Sequence, residues 1–67
     1  MSADARDALT AELFGGPRDG ETVPLRQHVP RELVFPVGAI GDPREAVYRF
    51  ARQMGHGTVR YEWGGYR

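Results

Sequence analysis

Tyr48, Tyr61, Trp63 and Tyr66 interleave with Arg49, Arg52, Arg60 and Arg67 in the last third of the sequence. Guanidinium groups grip phosphates and carboxylates through paired N–H donors, and aromatic rings stack on bases or fill pockets in a partner. The chemistry this pattern suits is therefore binding. Arg49, Arg60, Trp63, Tyr66 and Arg67 are the candidate contact residues. A competing demand falls on the same rings. Leu, Ile, Val and Phe together number only 14, so a folded core has to recruit Tyr and Trp.

Other chemistries find little material. The histidines, His28 and His56, stand far apart, no cysteine is present, and no His-x-x-x-His spacing exists, so no metal site is expected. Ser2 is the only serine, and Thr10, Thr22 and Thr58 have no neighbouring base, which argues against a nucleophile. Asp19 and Glu21 form a carboxylate pair, but in a turn expected to be open to water, a poor setting for general acid catalysis. The run Gly15-Gly16-Pro17-Arg18-Asp19-Gly20 lacks the Gly-Lys-Ser/Thr of a phosphate loop. A non-enzymatic protein without a cofactor is expected.

The elements that position these residues are short. Val59, Tyr61 and Trp63 alternate with Thr58, Arg60 and Glu62, which predicts a strand over 58–63 with the rings on the packed face and Arg60 and Glu62 facing out. Gly64-Gly65 reads as its end. Gly15, Gly16, Pro17, Asp19 and Gly20 make the densest turn signal, and Gly15 or Gly20 is expected at positive φ. Strands are expected at 10–14, 21–26 and 32–37. Pro24 and Pro36 lack the ladder donor, which places the second and third at sheet edges, where free backbone invites strand addition.

Residues 42–55 carry two conflicting signals. Asp42 as N-cap, Pro43 at N1, Glu45 closing a capping box, and Val47, Phe50, Ala51 and Met54 on one stripe describe a helix at about 43–54. The alternative is a strand at 46–52. It would pair Phe50 with Tyr61, Tyr48 with Trp63 and Arg49 with Glu62, joining rings to rings and opposite charges across the ladder.

At 67 residues the chain makes one domain, 10–67, with residues 1–9 as a flexible arm or short helix. No stretch has the length and apolarity of a membrane span, and no apolar leader precedes the domain. The lack of cysteine favours the cytoplasm. All nine basic residues are Arg, matched by nine acidic ones. The balance is uneven: residues 1–21 sum to −3 and residues 44–67 to +3.

Three landmarks occur together: Leu13-Phe14-Gly15-Gly16-Pro17-Arg18-Asp19-Gly20, then Tyr48-Arg49, then Tyr61-Glu62-Trp63-Gly64-Gly65. Over residues 11–65 this pattern resembles small proteins of actinobacteria and their phages that open on an LFGGP-x-DG run and close on a Tyr/Trp strand. The resemblance implies a short sheet-forming chain with a final hairpin and carries no catalytic residues. It favours the strand at 46–52. The combined expectation is a mainly β protein, a small antiparallel sheet of four to five strands. It would serve as a protein-binding or assembly module, either self-associating or meeting another protein. A phage-derived structural or host-interaction part, cytoplasmic or virion-associated, fits that role. The alternative is a small nucleic-acid-binding module using the C-terminal Arg and aromatic residues.

Overall fold

A computed structural model describes residues 9–26 and 28–67; the expected arm lies almost wholly outside them. The final hairpin organises the sheet. Strand β4 (Glu45–Gln53) and strand β5 (Thr58–Tyr66) pair antiparallel with Tyr48 opposite Trp63, Arg49 opposite Glu62 and Phe50 opposite Tyr61. The helix signature at 43–54 is overridden. The Asp42 carboxylate, its proposed cap, accepts from the Arg44 backbone N–H at 3.0 Å and from the Arg44 guanidinium at 2.8 Å, so it closes a turn instead. Cross-strand ring pairs replace the helix stripe: Phe50, one of its members, meets Tyr61 at 6.1 Å, and Tyr48, which lay off it, meets Trp63 at 5.3 Å between centroids.

The strand order is β2 (Thr22–Arg26), β1 (Leu9–Phe14), β5, β4, β3 (Glu32–Pro36). The sheet is mixed: β1 runs parallel to β5, and the other three pairings are antiparallel. Both proline-bearing strands are edges. The ladder bonds Phe50 N–H to Arg31 C=O and Val37 N–H to Arg44 C=O make the odd residues of β3 face β4, so Pro36 points outward. On β2, Leu13 N–H bonds to Glu21 C=O, which likewise leaves Pro24 outward. Each missing N–H sits where no ladder needs it, and each proline blunts the edge it occupies.

One correction concerns the end of β5. The strand does not stop at Gly64-Gly65 but bulges there, with Val47 opposite Gly65 and Tyr48 opposite Trp63, and continues to Tyr66. Gly65 takes φ +102, and a Cβ on Gly64 would stand 3.2 Å from the Val47 carbonyl oxygen. Arg67 then exchanges both backbone hydrogen bonds with Glu45 at 2.9 Å. The last residues are part of the ladder.

The core lies on one face of the sheet. Ala11, Leu13, Ala46, Tyr48, Val59 and Tyr61 are buried there, and Val23, Leu25, Val29, Leu33, Phe35 and Trp63 pack against them. Apolar residues from both edges thus meet one central cluster, so the sheet curls over its own face. Chain length demands the same. A flat sheet would set its edges about 19 Å apart, four spacings of about 4.8 Å, and the few residues between β2 and β3 would reach that far only if fully extended.

Two buried tyrosines fasten the irregular segments to this curl. The Tyr48 hydroxyl donates to the Gly15 carbonyl at 2.6 Å and accepts from the Arg18 N–H at 2.8 Å, which ties down the β1–β2 loop. The Tyr61 hydroxyl donates to the Pro30 carbonyl on the β2–β3 connection. Burial pushes the Tyr61 pKa above its ordinary value of 10.0. The folded state therefore holds this proton longer than the unfolded chain does. Stability from this source is intact below pH 10 and falls as pH rises through the raised folded value. Tyr61→Phe should cost about 1 kcal/mol near neutrality and flatten this part of the alkaline limb. Urea midpoints from pH 8 to 11.5 check it, and an equally steep limb in Tyr61→Phe would contradict it.

Candidate functional site

The GGPRDG loop closes the upper end of the sheet, where β1 hands over to β2. Gly16–Arg18 form a single 3-10 turn with Pro17 near its start. The Gly15 N–H donates to the Asp19 carboxylate at 2.6 Å. Gly20, at φ +87, bonds through its N–H to the Leu13 carbonyl, whose own N–H reaches Glu21, the arrangement of a glycine bulge. Both Gly15 and Gly20 take positive φ, as their sequence predicted. The reason for the glycine pair lies outside the turn. A Cβ on Gly16 would meet the Trp63 ring at 2.4 Å and the Tyr48 hydroxyl at 2.8 Å. The loop lies flat on those two side chains, so all three sequence landmarks converge at one place.

From there an aromatic row crosses the curled face: Phe35 to Tyr48 at 6.0 Å, Tyr48 to Trp63 at 5.3 Å, Trp63 to Tyr66 at 5.0 Å. Tyr66 ends the row with 47% of its surface exposed. The Arg44 guanidinium lies 4.4 Å from its ring centroid, and that of Arg18 lies 4.4 Å from Phe35. Arg44 is itself held by Asp42, and its hydrogen bonds keep that carboxyl below its usual pKa. Beside Tyr66 opens a shallow cleft of about 250 Å³, lined by Pro17, Arg18, Glu21, Pro36, Val37 and Ala46 as well as Tyr66. Arg18 pairs with Glu21 at 2.7 Å on its wall. The cleft offers a π face, two proline walls and a guanidinium edge, which suits a side chain presented by a partner.

The five predicted contact residues do not form one surface. Alternation along β5 sends Tyr61 and Trp63 to the core face and Arg60 and Glu62 to the other, as expected. Arg49, Arg60 and Arg67 therefore occupy the face opposite Trp63 and Tyr66. Their charges are spent locally: Arg60 on Glu62 at 2.9 Å, Arg49 on Glu32 at 3.2 Å, and Arg67 on Glu45 at 3.4 Å and Glu32 at 3.7 Å. Arg60 also lies 4.0 Å from the Phe14 ring centroid. A guanidinium that reaches both Glu45 and Glu32 must cross the Val34–Val47 pair between them, and Val47 is only 4% exposed although it stands apart from the front cluster.

Removing Tyr66 and Arg67 therefore strips two ladder bonds, an aromatic contact and the cover of Val47. A cost on the order of 2 kcal/mol follows, with a melting midpoint lower by roughly 10 °C. Thermal melts of the shortened chain check this, and an unchanged midpoint would mean the end is frayed in solution.

Sequence reasoning missed Arg18, Arg44, Pro36, Val37 and Ala46 as neighbours of Tyr66. No local signal marks them, because the cleft is assembled from four separate segments. Among the described residues no helix is long and apolar enough to cross a membrane. Fold and site define a small mainly β protein, one mixed five-stranded sheet with an aromatic cleft at its upper end. Comparison with protein-family models, with curated proteins and with solved structures finds no match to this chain.

Proposed function

We propose that the protein is a non-enzymatic protein-binding or assembly module that docks a partner chain on its upper end. Tyr66 carries this reading. It is a large ring, nearly half exposed, yet set in place by the flanking Arg67–Glu45 ladder bonds, by Trp63 against one edge and by Arg44 over its face. A ring already ordered loses little entropy on binding, and Tyr, Trp and Arg are the side chains on which interface energy concentrates. The sheet edges support the reading less, because Pro24 and Pro36 face outward and interrupt strand addition. A part of phage assembly or host interaction is the setting the sequence resemblance implies.

The first partner to test is a second copy. Light scattering from micromolar to millimolar protein should give a mass rising above the 7.5 kDa of one chain, with Tyr66→Ala held near that value. A mass that stays at one chain throughout sinks self-association. A Tyr66→Ala mass that rises in step with the original removes Tyr66 from the contact. The alternative, nucleic-acid binding through Arg49, Arg60 and Arg67, draws less support, since each of these already pairs with a carboxylate.

A further inference from the structure

The lower end of the sheet, opposite the cleft, gathers arginines with which no described carboxylate pairs. Of the eight arginines among the described residues, Arg18, Arg44, Arg49, Arg60 and Arg67 have a carboxylate within 4.0 Å. The other three, Arg26, Arg31 and Arg52, are exposed. Topology gathers them. Arg26 ends β2, Arg31 leads into β3 opposite Phe50, and Arg52 lies near the lower end of β4. Segments 9–11, 25–26, 28–31 and 51–59, which build this end, contain no Asp or Glu and hold both histidines, His28 and His56. Counting Asp4, Arg6 and Asp7 ahead of β1 still leaves the end positive.

Three locally unfavourable features meet at the same end. Arg26 and His56 both take φ +62, the only described non-glycine residues at positive φ. Arg52 stands directly opposite Arg60 across the β4–β5 ladder, a like-charge pair that costs stability. Neither strain nor repulsion helps the sheet, and such costs collect where a surface serves another purpose. Phe50 adds the remaining part. Its ring is 44% exposed and braced edge-on by Tyr61. Arg31 stands opposite Phe50 on the same face, while Arg52 lies near it on the other side of the strand. An exposed ring beside guanidinium groups that no described carboxylate neutralises is how proteins hold unpaired nucleotides, with charge on the phosphates and a base on the ring.

We propose that this lower end binds single-stranded nucleic acid, with Arg26, Arg31 and Arg52 on phosphates and Phe50 under a base. The surface is separate from the cleft and does not depend on it. Fluorescence anisotropy with a fluorescein-labelled oligothymidylate of about 12 nucleotides tests it. Three phosphate contacts give a slope of log affinity on log salt near −2, about a fifteenfold loss between about 50 and 200 mM salt. Arg52→Gln, which also relieves the opposition to Arg60, should keep the fold and reduce the slope by about 0.7. Arg26→Gln/Arg31→Gln/Arg52→Gln should abolish the slope, with circular dichroism confirming the sheet. Phe50→Ala should weaken oligothymidylate about tenfold and leave inorganic polyphosphate binding unchanged. Absence of binding at low salt, or an unchanged slope in the folded triple variant, overturns the proposal. Equal behaviour of Phe50→Ala toward both probes also overturns it, since the end would then attract polyanions without holding bases.

Discussion

Gly16→Ala should leave the protein largely unfolded at room temperature. Two costs coincide at this position. Its φ of +66 belongs to the left-handed region, where a side chain costs about 1–2 kcal/mol. Its Cβ would also stand 2.4 Å from two atoms of the Trp63 ring and 2.8 Å from the Tyr48 hydroxyl. Neither neighbour can retreat freely, because Trp63 is pressed between Tyr48 and Tyr66, and overpacking of this kind costs a further ~1–3 kcal/mol. A domain of this size rarely has more than about 3–5 kcal/mol in hand. Gly20→Ala is the control. Gly20 has φ +87 but nothing within 4 Å of a built Cβ, so only the backbone cost of about 1 kcal/mol applies. Urea denaturation of the pair decides the matter. Equal midpoints would mean that the loop does not rest on Trp63.

Tyr48→Phe should be the most damaging loss of a single oxygen atom in the protein. The hydroxyl serves the loop twice, as donor to Gly15 C=O and acceptor from Arg18 N–H, across 33 and 30 residues of sequence. Phenylalanine would fill the same space and leave both backbone groups unpartnered against the core. An unsatisfied buried group costs about 1–3 kcal/mol, so a total near 3 kcal/mol is expected, with a fall in melting midpoint of roughly 15 °C. Tyr61→Phe, which frees one carbonyl, should cost about a third of that. Hydrogen exchange gives a second readout: the Arg18 amide should exchange far faster in Tyr48→Phe. Unchanged exchange would mean that the hydroxyl does not hold this amide in solution.

Much of this architecture is legible from local rules. Pro24 and Pro36 announce edge strands because an imide nitrogen cannot donate, whatever the rest of the chain does. The register of the final hairpin follows from matching rings to rings and Arg49 to Glu62, since cross-strand neighbours interact at short range. Positive φ at Gly15 and Gly20 follows from the tightness of the reversal. The helix signal at 43–54 is equally local and equally well formed. It loses because Tyr48 and Phe50 find rings on β5, and Asp42 finds Arg44, before any cap can act.

The candidate site was legible in its residue types but not in its grouping. Period-two alternation already implies that Arg60 and Trp63 face opposite ways. Yet only the assembled sheet shows that Glu32 and Glu45 draw Arg49 and Arg67 to the back, leaving Arg18 beside the half-buried Phe35 and Arg44 beside the exposed Tyr66. Sequence alone determined the two edges, the turn glycines and the register that the last hairpin takes once 46–52 is a strand, because each depends on one residue's own backbone chemistry or on neighbours across a short loop. Tertiary structure decided the rest. It set β1 parallel to β5 across more than forty residues, made Gly16 obligatory through Trp63, and chose which arginines are neutralised, because each of these depends on a partner brought close only when the sheet curls shut.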